Sequence, residues 1–223
     1  MENTVKLKAE ILFAFLWFFS FIWFFVAQII VGAAWHDPAY NWREQNLSDL
    51  GITGYPLHAL MNATFIFQGA VLAIGVWLVR IIWHKTFCPV IARVMLSLAG
   101  VGWIVIGLTP YNLLTVIHTA FGAIPVMAFC SAGLIFAGYG KNRVHFGRFW
   151  IVTVAIGIAC LVSGCLYFSG TYLYIGKGAM ERIWLYAPLV WTLVISCRVI
   201  FVPRSRPAWI SAAFCHFFHI CNQ

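Results

Sequence analysis

The sequence predicts an all-α integral membrane protein: a single bundle of six transmembrane helices with both termini cytoplasmic. Three observations predict it, namely the composition, six apolar runs of spanning length, and a one-sided distribution of lysine and arginine. Of 223 residues, 63% are hydrophobic and 9% charged, with a mean hydropathy of +0.90. A soluble domain carries roughly 25% charged residues. The 11 Trp and 20 Phe suit a large lipid-facing surface bounded by interfacial aromatic belts.

A helix needs about 20 apolar residues to cross the hydrocarbon core. Runs at about 11–34, 58–82, 91–109, 114–138, 147–170 and 182–202 meet that length. The first carries a small-residue cleavage pattern, Gly32-Ala33-Ala34. Its apolar core from Ile11 to Val31 is longer than the roughly 7–15 residues of a signal peptide, so a retained helix is expected. No internal repeat is visible and the connections are short. Residues 1–203 therefore read as one transmembrane domain, followed by a cytoplasmic tail over 204–223.

Orientation follows from the basic residues. With both termini cytoplasmic, the inner side holds Lys6, Lys8, Arg80, Lys85, Arg93, Lys141, Arg143, Arg148, Arg198, Arg204 and Arg206. Arg43, Lys177 and Arg182 remain outside. This is the positive-inside pattern, and it places the chain in the plasma (cytoplasmic or inner) membrane. The net charge of +8 is thereby a topology signal with some attraction to anionic lipid, and it needs no nucleic acid partner. Of the six carboxylates, Asp37, Glu44, Asp49 and Glu181 fall outside. Candidate chemistry faces outward.

The first outer connection carries Asn46-Leu47-Ser48-Asp49-Leu50-Gly51. Asn, Ser, Asp and Gly form turns and helix caps, so a re-entrant or interfacial turn stands beside a functional role. Pro56 suits the first turn of the second helix, which puts His58 and Asn62 four residues apart on one face, with Gly69 further down it. Such a pair at a helix start is more often structural than catalytic. Helix 4 carries Thr115, His118, Thr119 and Gly122 as one polar and small stripe, with Pro125 expected to kink it. Small and hydroxyl residues pack helices, whereas an ionisable histidine at that depth is a functional candidate. Ser163, Tyr167 and Gly170 on helix 5 read mainly as packing. Helix 6 is expected to begin with Gly178-Ala179-Met180-Glu181-Arg182; neighbours on a helix do not face each other, so Glu181 and Arg182 each reach their own partner. A bidentate Arg182–Asp49 pair is the expected one.

The seven cysteines lie within spans or on the inner side, which indicates no outer disulfide framework. The tail carries Cys215, His216, His219 and Cys221, but their spacing matches no zinc motif. Asn46-Leu47-Ser48 and Asn62-Ala63-Thr64 fit the glycosylation sequon, the second too near the membrane for use.

The motif from Asn46 to Gly51, then Asn62 and Gly69, then Gly107-Leu108-Thr109-Pro110 with His118, then Gly178 to Glu181-Arg182 occur in that order. In this the chain resembles the bacterial and archaeal six-helix membrane family catalogued as domain of unknown function 998. That family is similar, more remotely, to the FRAG/DRAM/Sfk-type eukaryotic membrane proteins. The resemblance implies the six-span fold and the same outer residues, and it implies no activity. Ser48, Asp49 and His118 are also superficially similar to the Ser, Asp and His set of alkaline ceramidase and adiponectin-receptor type hydrolases. A zinc hydrolase wants three protein ligands and an open position, helix 6 has no histidine, and His36 and His58 would have to complete the set. No cofactor is therefore expected.

The leading functional expectation is an outward-facing polar pocket that binds or processes a membrane lipid or other amphiphile with an anionic head group. Asp49, His118 and Glu181 are its candidate catalytic residues; Asn46, Ser48, His58, Asn62 and Arg182 are its candidate ligand-binding residues, with no metal. Asp49, His118, Glu181 and Arg182 are expected to converge, because pairing is the cheapest way to place four polar groups near hydrocarbon. The alternatives are a structural or assembly subunit of a membrane complex, with a membrane-protein partner or a second copy, and a small transporter or metal-dependent membrane hydrolase. Against transport, no interrupted helix pair or inverted repeat is evident.

Overall fold

The computed structural model describes residues 2–79, 87–139 and 149–201. The tail at 204–223 and most of the basic connections near 80–86 and 140–148 lie outside the described residues. Among the described residues the protein is all-helical and has no strand, and six of its helices are long and apolar enough to cross a membrane. They are α1 (Glu2–Ala33), α2 (His58–Leu78), α3 (Phe87–Leu108), α4 (Thr115–Gly138), α5 (Phe149–Phe168) and α6 (Lys177–Phe201).

Each helix packs on its neighbours in sequence, and α6 returns to α1, so the bundle is a closed ring. Short connections leave an apolar helix little choice but to descend beside its predecessor. The interior is aromatic. Phe24 on α1 meets Trp103 of α3 edge-on at 5.4 Å, Phe65 of α2 at 6.1 Å and Tyr186 of α6 at 6.2 Å. Trp17 donates its indole N–H to the Val71 carbonyl at 3.0 Å. Close approach of α2 and α3 depends on Gly69 and Gly100, where a Cβ on either would overlap the other's carbonyl. The outer face of α1 is the stripe Phe15, Phe19, Ile22, Val26 and Ile29, all exposed at helical spacing, as a lipid-facing helix requires.

Three departures from the sequence reading matter for the site. The connection from α1 to α2 goes beyond an interfacial turn, because Trp35, Tyr40, Leu47 and Leu50 belong to the same buried core as the helices. It ends in a 3₁₀ turn over Ser48–Gly51 and a left-handed Leu57, so α2 starts at His58 and Pro56 precedes the helix. Second, α4 is continuous but carries a π-helical segment, His118–Ala123, immediately before Pro125. Proline lacks the N–H of a regular turn, and wider winding accommodates that loss. Third, α6 begins at Lys177, one residue before the expected Gly178 and five before the apolar run that starts near 182. Lys177-Gly178-Ala179 lie before the apolar run, but Gly176 at φ +99° makes the turn and the helix starts directly after it. Glu181 and Arg182 thus sit in the second turn of α6.

Candidate functional site

The end of the bundle that carries the 34–57 connection gathers the polar candidates, in two groups. The first is a clamp. Arg182 Nη1 donates to the carbonyls of Trp42 at 2.9 Å, Gln45 at 3.1 Å and Gly178 at 2.7 Å. Its Nη2 donates to the Tyr40 hydroxyl, and the guanidinium lies over the Tyr40 and Trp42 rings at 5.6 and 5.4 Å. Burial pushes the Tyr40 hydroxyl far above the usual phenol range, partly opposed by the Arg182 charge. Tyr40 therefore keeps its proton, which it donates to the Asn46 carbonyl at 2.5 Å.

Glu181, one residue earlier on α6, takes the opposite polarity. It accepts from the Leu47 N–H and, at 3.1 Å, from the Ser48 hydroxyl. Arg182 collects the loop's carbonyls and Glu181 the N–H and hydroxyl that follow. Adjacent residues on a helix point about 100° apart, which lets one acid–base neighbour pair read both halves of a loop. The loop approaches so closely that a Cβ on Gly178 would overlap the Gln45 carbonyl.

The expected Arg182–Asp49 pair does not form. Asp49 instead accepts the Asn46 N–H at 2.8 Å, as a capping carboxylate does for a short turn. Burial raises its carboxyl above the ordinary 3.8, against the opposing pull of the Asn46 N–H and of the Lys177 and Arg182 charges. Asn62 Nδ2 donates to the Gly51 carbonyl at 2.9 Å and so holds the far end of the same turn. His58 Nδ1 lies 2.8 Å from the Tyr55 carbonyl. Asn62 and His58 both support the loop and stand outside the cavity described next. Asn46 is buried, and its side-chain oxygen accepts the Tyr167 hydroxyl at 3.1 Å, so the first sequon is enclosed.

The second group lines a cavity of about 210 Å³ between the loop, α4, α5 and α6. Asn46, Ser48, His118 and Glu181 line it, together with Thr119, Lys177 and the tyrosines Tyr111, Tyr167 and Tyr172. His118 Nδ1 is 2.6 Å from the Thr109 carbonyl; a carbonyl only accepts, so Nδ1 carries the proton and Nε2 is the acceptor of the neutral ring. Tyr111 packs edge-on against that ring at 5.5 Å. Of the four residues expected to converge, the structure brings His118 and Glu181 to one cavity. Asp49 and Arg182 lie on the loop side of it.

The sequence reading missed Tyr111 and Tyr172, took Tyr167 for packing, and gave Lys177 only as a charge that supports Arg182. Their common signal is position: each lies within about one turn of a helix end at the level of Asn46, a register that no single stretch of sequence displays. Among the described residues no three His, Cys, Asp or Glu side chains are grouped as a metal site, and His58 turns to Tyr55 and away from His118.

Residues 19–198 match the model of a protein family of unknown function, DUF998. The chain belongs to that family. No curated protein and no solved structure matches it. For this member of the DUF998 family, the cavity geometry carries the functional reading.

Proposed function

We propose that the chain binds, and presents for processing, a lipid or other amphiphile whose anionic, phosphate-bearing head group enters the cavity. The observation that carries this is a polar cavity built directly beside exposed apolar surface. Phe168 lines the cavity and is itself 38% exposed, while Val116 and Phe121 on α4 are 76% and 63% exposed. At roughly 30 Å³ per water, 210 Å³ holds about seven waters, which is head-group size and well short of a whole lipid. The acyl chains would lie outside, along α4 and α5.

The charge for the anion falls to Lys177, since Arg182 is occupied by the loop. The N-terminus of α6, where Lys177 sits, adds a positive dipole end. Processing of the head group falls to His118, which lines the cavity and whose Nε2 is the acceptor nitrogen of the neutral ring. The orientation that goes with this reading has both termini in the cytoplasm and the cavity opening on the outer leaflet of the plasma membrane. External thiol labelling should then reach a cysteine placed in the 35–57 loop and miss one placed at Lys141; the reverse pattern defeats the orientation.

The test of binding is lipid phosphorus retained per protein after purification, compared between wild type and Lys177→Gln. Retained lipid that falls in the variant supports the reading. If wild type retains none, the reading is wrong. A structural or assembly role then moves ahead, favoured by the clamp, in which Glu181 and Arg182 both serve the loop.

A further inference from the structure

Lys177 and Glu181 are four residues apart on α6 and line the same cavity, yet no ion pair joins them. Glu181 is only 3% exposed. Its hydrogen bonds come from neutral groups, the Leu47 N–H and the Ser48 hydroxyl, and the neighbouring Arg182 turns to the loop carbonyls instead. A carboxylate removed from water without a cation is costly, and each of its oxygens keeps a second lone pair for another donor. One cavity thus holds a cation and a carboxylate that form no ion pair with each other, a helical turn apart.

The remaining walls are aromatic. Tyr111, Tyr167, Tyr172 and Phe168 line the cavity beside Glu181. Tyr167 lies 6.2 Å from Tyr172 and 5.1 Å from Phe168, so three of the rings form one continuous patch. Electron-rich faces of this kind attract ammonium groups, and several together form the cage that selects alkylated ones. A site for a purely anionic ligand would be expected to multiply cations and N–H donors, and it would have no use for the carboxylate.

We infer that the ligand is a phospho-amine, its phosphate on Lys177 and its ammonium between Glu181 and the Tyr111–Tyr167–Tyr172 walls. The inference rests on the amphiphile reading above and sharpens it, because a head group of phosphoethanolamine or phosphocholine type is anionic at one end and cationic at the other. A two-carbon linker between phosphate and ammonium matches the one-turn separation of Lys177 and Glu181. No bond is made or broken.

The test uses the full-length protein in detergent, exposed in turn to four phospholipids with identical acyl chains: phosphatidylethanolamine, phosphatidylcholine, phosphatidylglycerol and phosphatidic acid. Retention is read by native mass spectrometry. The two amine lipids should be retained about tenfold better than the other two, the size of one desolvated cation–π and carboxylate contact. Glu181→Gln should remove most of that preference while leaving phosphatidic acid unaffected. Because Glu181 also holds the loop, Tyr172→Ala is the parallel variant. Its side chain lines the cavity outside the clamp, and it should lower phosphatidylcholine retention most.

Competition by soluble phosphocholine would make the head group alone sufficient, and retention without such competition would assign the ligand to the membrane; both outcomes keep the inference. Equal or better retention of phosphatidylglycerol or phosphatidic acid overturns it and leaves the amphiphile reading standing. Retention of no lipid overturns both.

Discussion

Glu181 and Arg182 are adjacent in the chain, carry opposite charges and sit at the same end of one helix, yet they belong to different regions of the molecule. Arg182 faces a region in which most polar atoms are spent: Trp42, Gln45, Gly178 and Tyr40 take its Nη donors and the loop is fastened by them, while its buried Nε has no partner. Glu181 stands on the border of a region in which fewer are spent, where Lys177, His118 and three tyrosines line about 210 Å³ of space. The difference teaches that ionisable residues near hydrocarbon are no single class. Those whose partners are backbone hold the fold, and those left facing a cavity are available to a ligand.

The comparison breaks most visibly at Arg182. Arg182→Ala strips the donors from two loop carbonyls and the Tyr40 hydroxyl, each costing about 1–3 kcal/mol when left unsatisfied. The expected outcome is the largest fall in thermal stability of any single substitution at this end, read by tryptophan fluorescence in detergent. Arg182→Lys should recover little of it, since an ammonium cannot span the fork of acceptors. Full stability in Arg182→Ala would mean that the clamp is decorative.

Gly178→Ala tests the same region through shape alone. Its new Cβ would overlap the Gln45 carbonyl and push the loop outward, at a cost of about 1–3 kcal/mol. Stability should fall by less than for Arg182→Ala.

Asp49 tests the border by pH. Burial raises its folded carboxyl above the ordinary 3.8, so the folded chain holds that proton more tightly than the unfolded one. Its contribution is fully present below the unfolded value and is lost as pH rises through the folded one. The loop should therefore loosen modestly as pH climbs from about 4 toward neutrality. Asp49→Asn should flatten that slope while still accepting the Asn46 N–H, read as the pH dependence of Tm in wild type and variant. An unchanged slope in the variant would assign the effect to another group.

The smallest effect on stability belongs to the cavity side. Lys177→Gln removes a half-exposed charge that donates no hydrogen bond to the loop and acts on it only through the field at Asp49, and it should shift stability by no more than about 0.5 kcal/mol. Lipid retention should nevertheless collapse. A variant that loses stability and keeps its lipid would reverse the assignment of the two regions.

Much of this architecture was legible beforehand. The spans from Val90 to Leu108 and from Thr115 to Gly138 fall within a residue of their expected limits, because a lipid-exposed helix must be apolar along its whole length. Hydropathy alone did not mark the start of α6, which the sequence reading put at Gly178, one residue late. Lys177 and Gly178 are poor hydropathy residues, and what makes them helical is a left-handed Gly176 and the Arg43 carbonyl that accepts the Ala179 N–H. The expected Arg182–Asp49 pair failed for a related reason. Charge sorting counts side chains, whereas the acceptors that Arg182 found are backbone carbonyls, which every residue carries and no sequence marks.

By itself, then, the sequence determined an all-helical chain with six helices able to cross a membrane, and it determined which end of the bundle would carry Asn46, Ser48, His118 and Glu181. Hydrophobic length and the alternation of short connections suffice for that, since both act locally along the chain. Tertiary structure alone decided which of those residues share a cavity. Whether Glu181 meets a loop N–H or Arg182 meets a carbonyl depends on how the 34–57 segment folds over α6, within tenths of an ångström at Gly178. Hydrogen bonds weaken steeply with distance and angle, so contacts of that kind are set by three-dimensional packing and leave no trace in residue order.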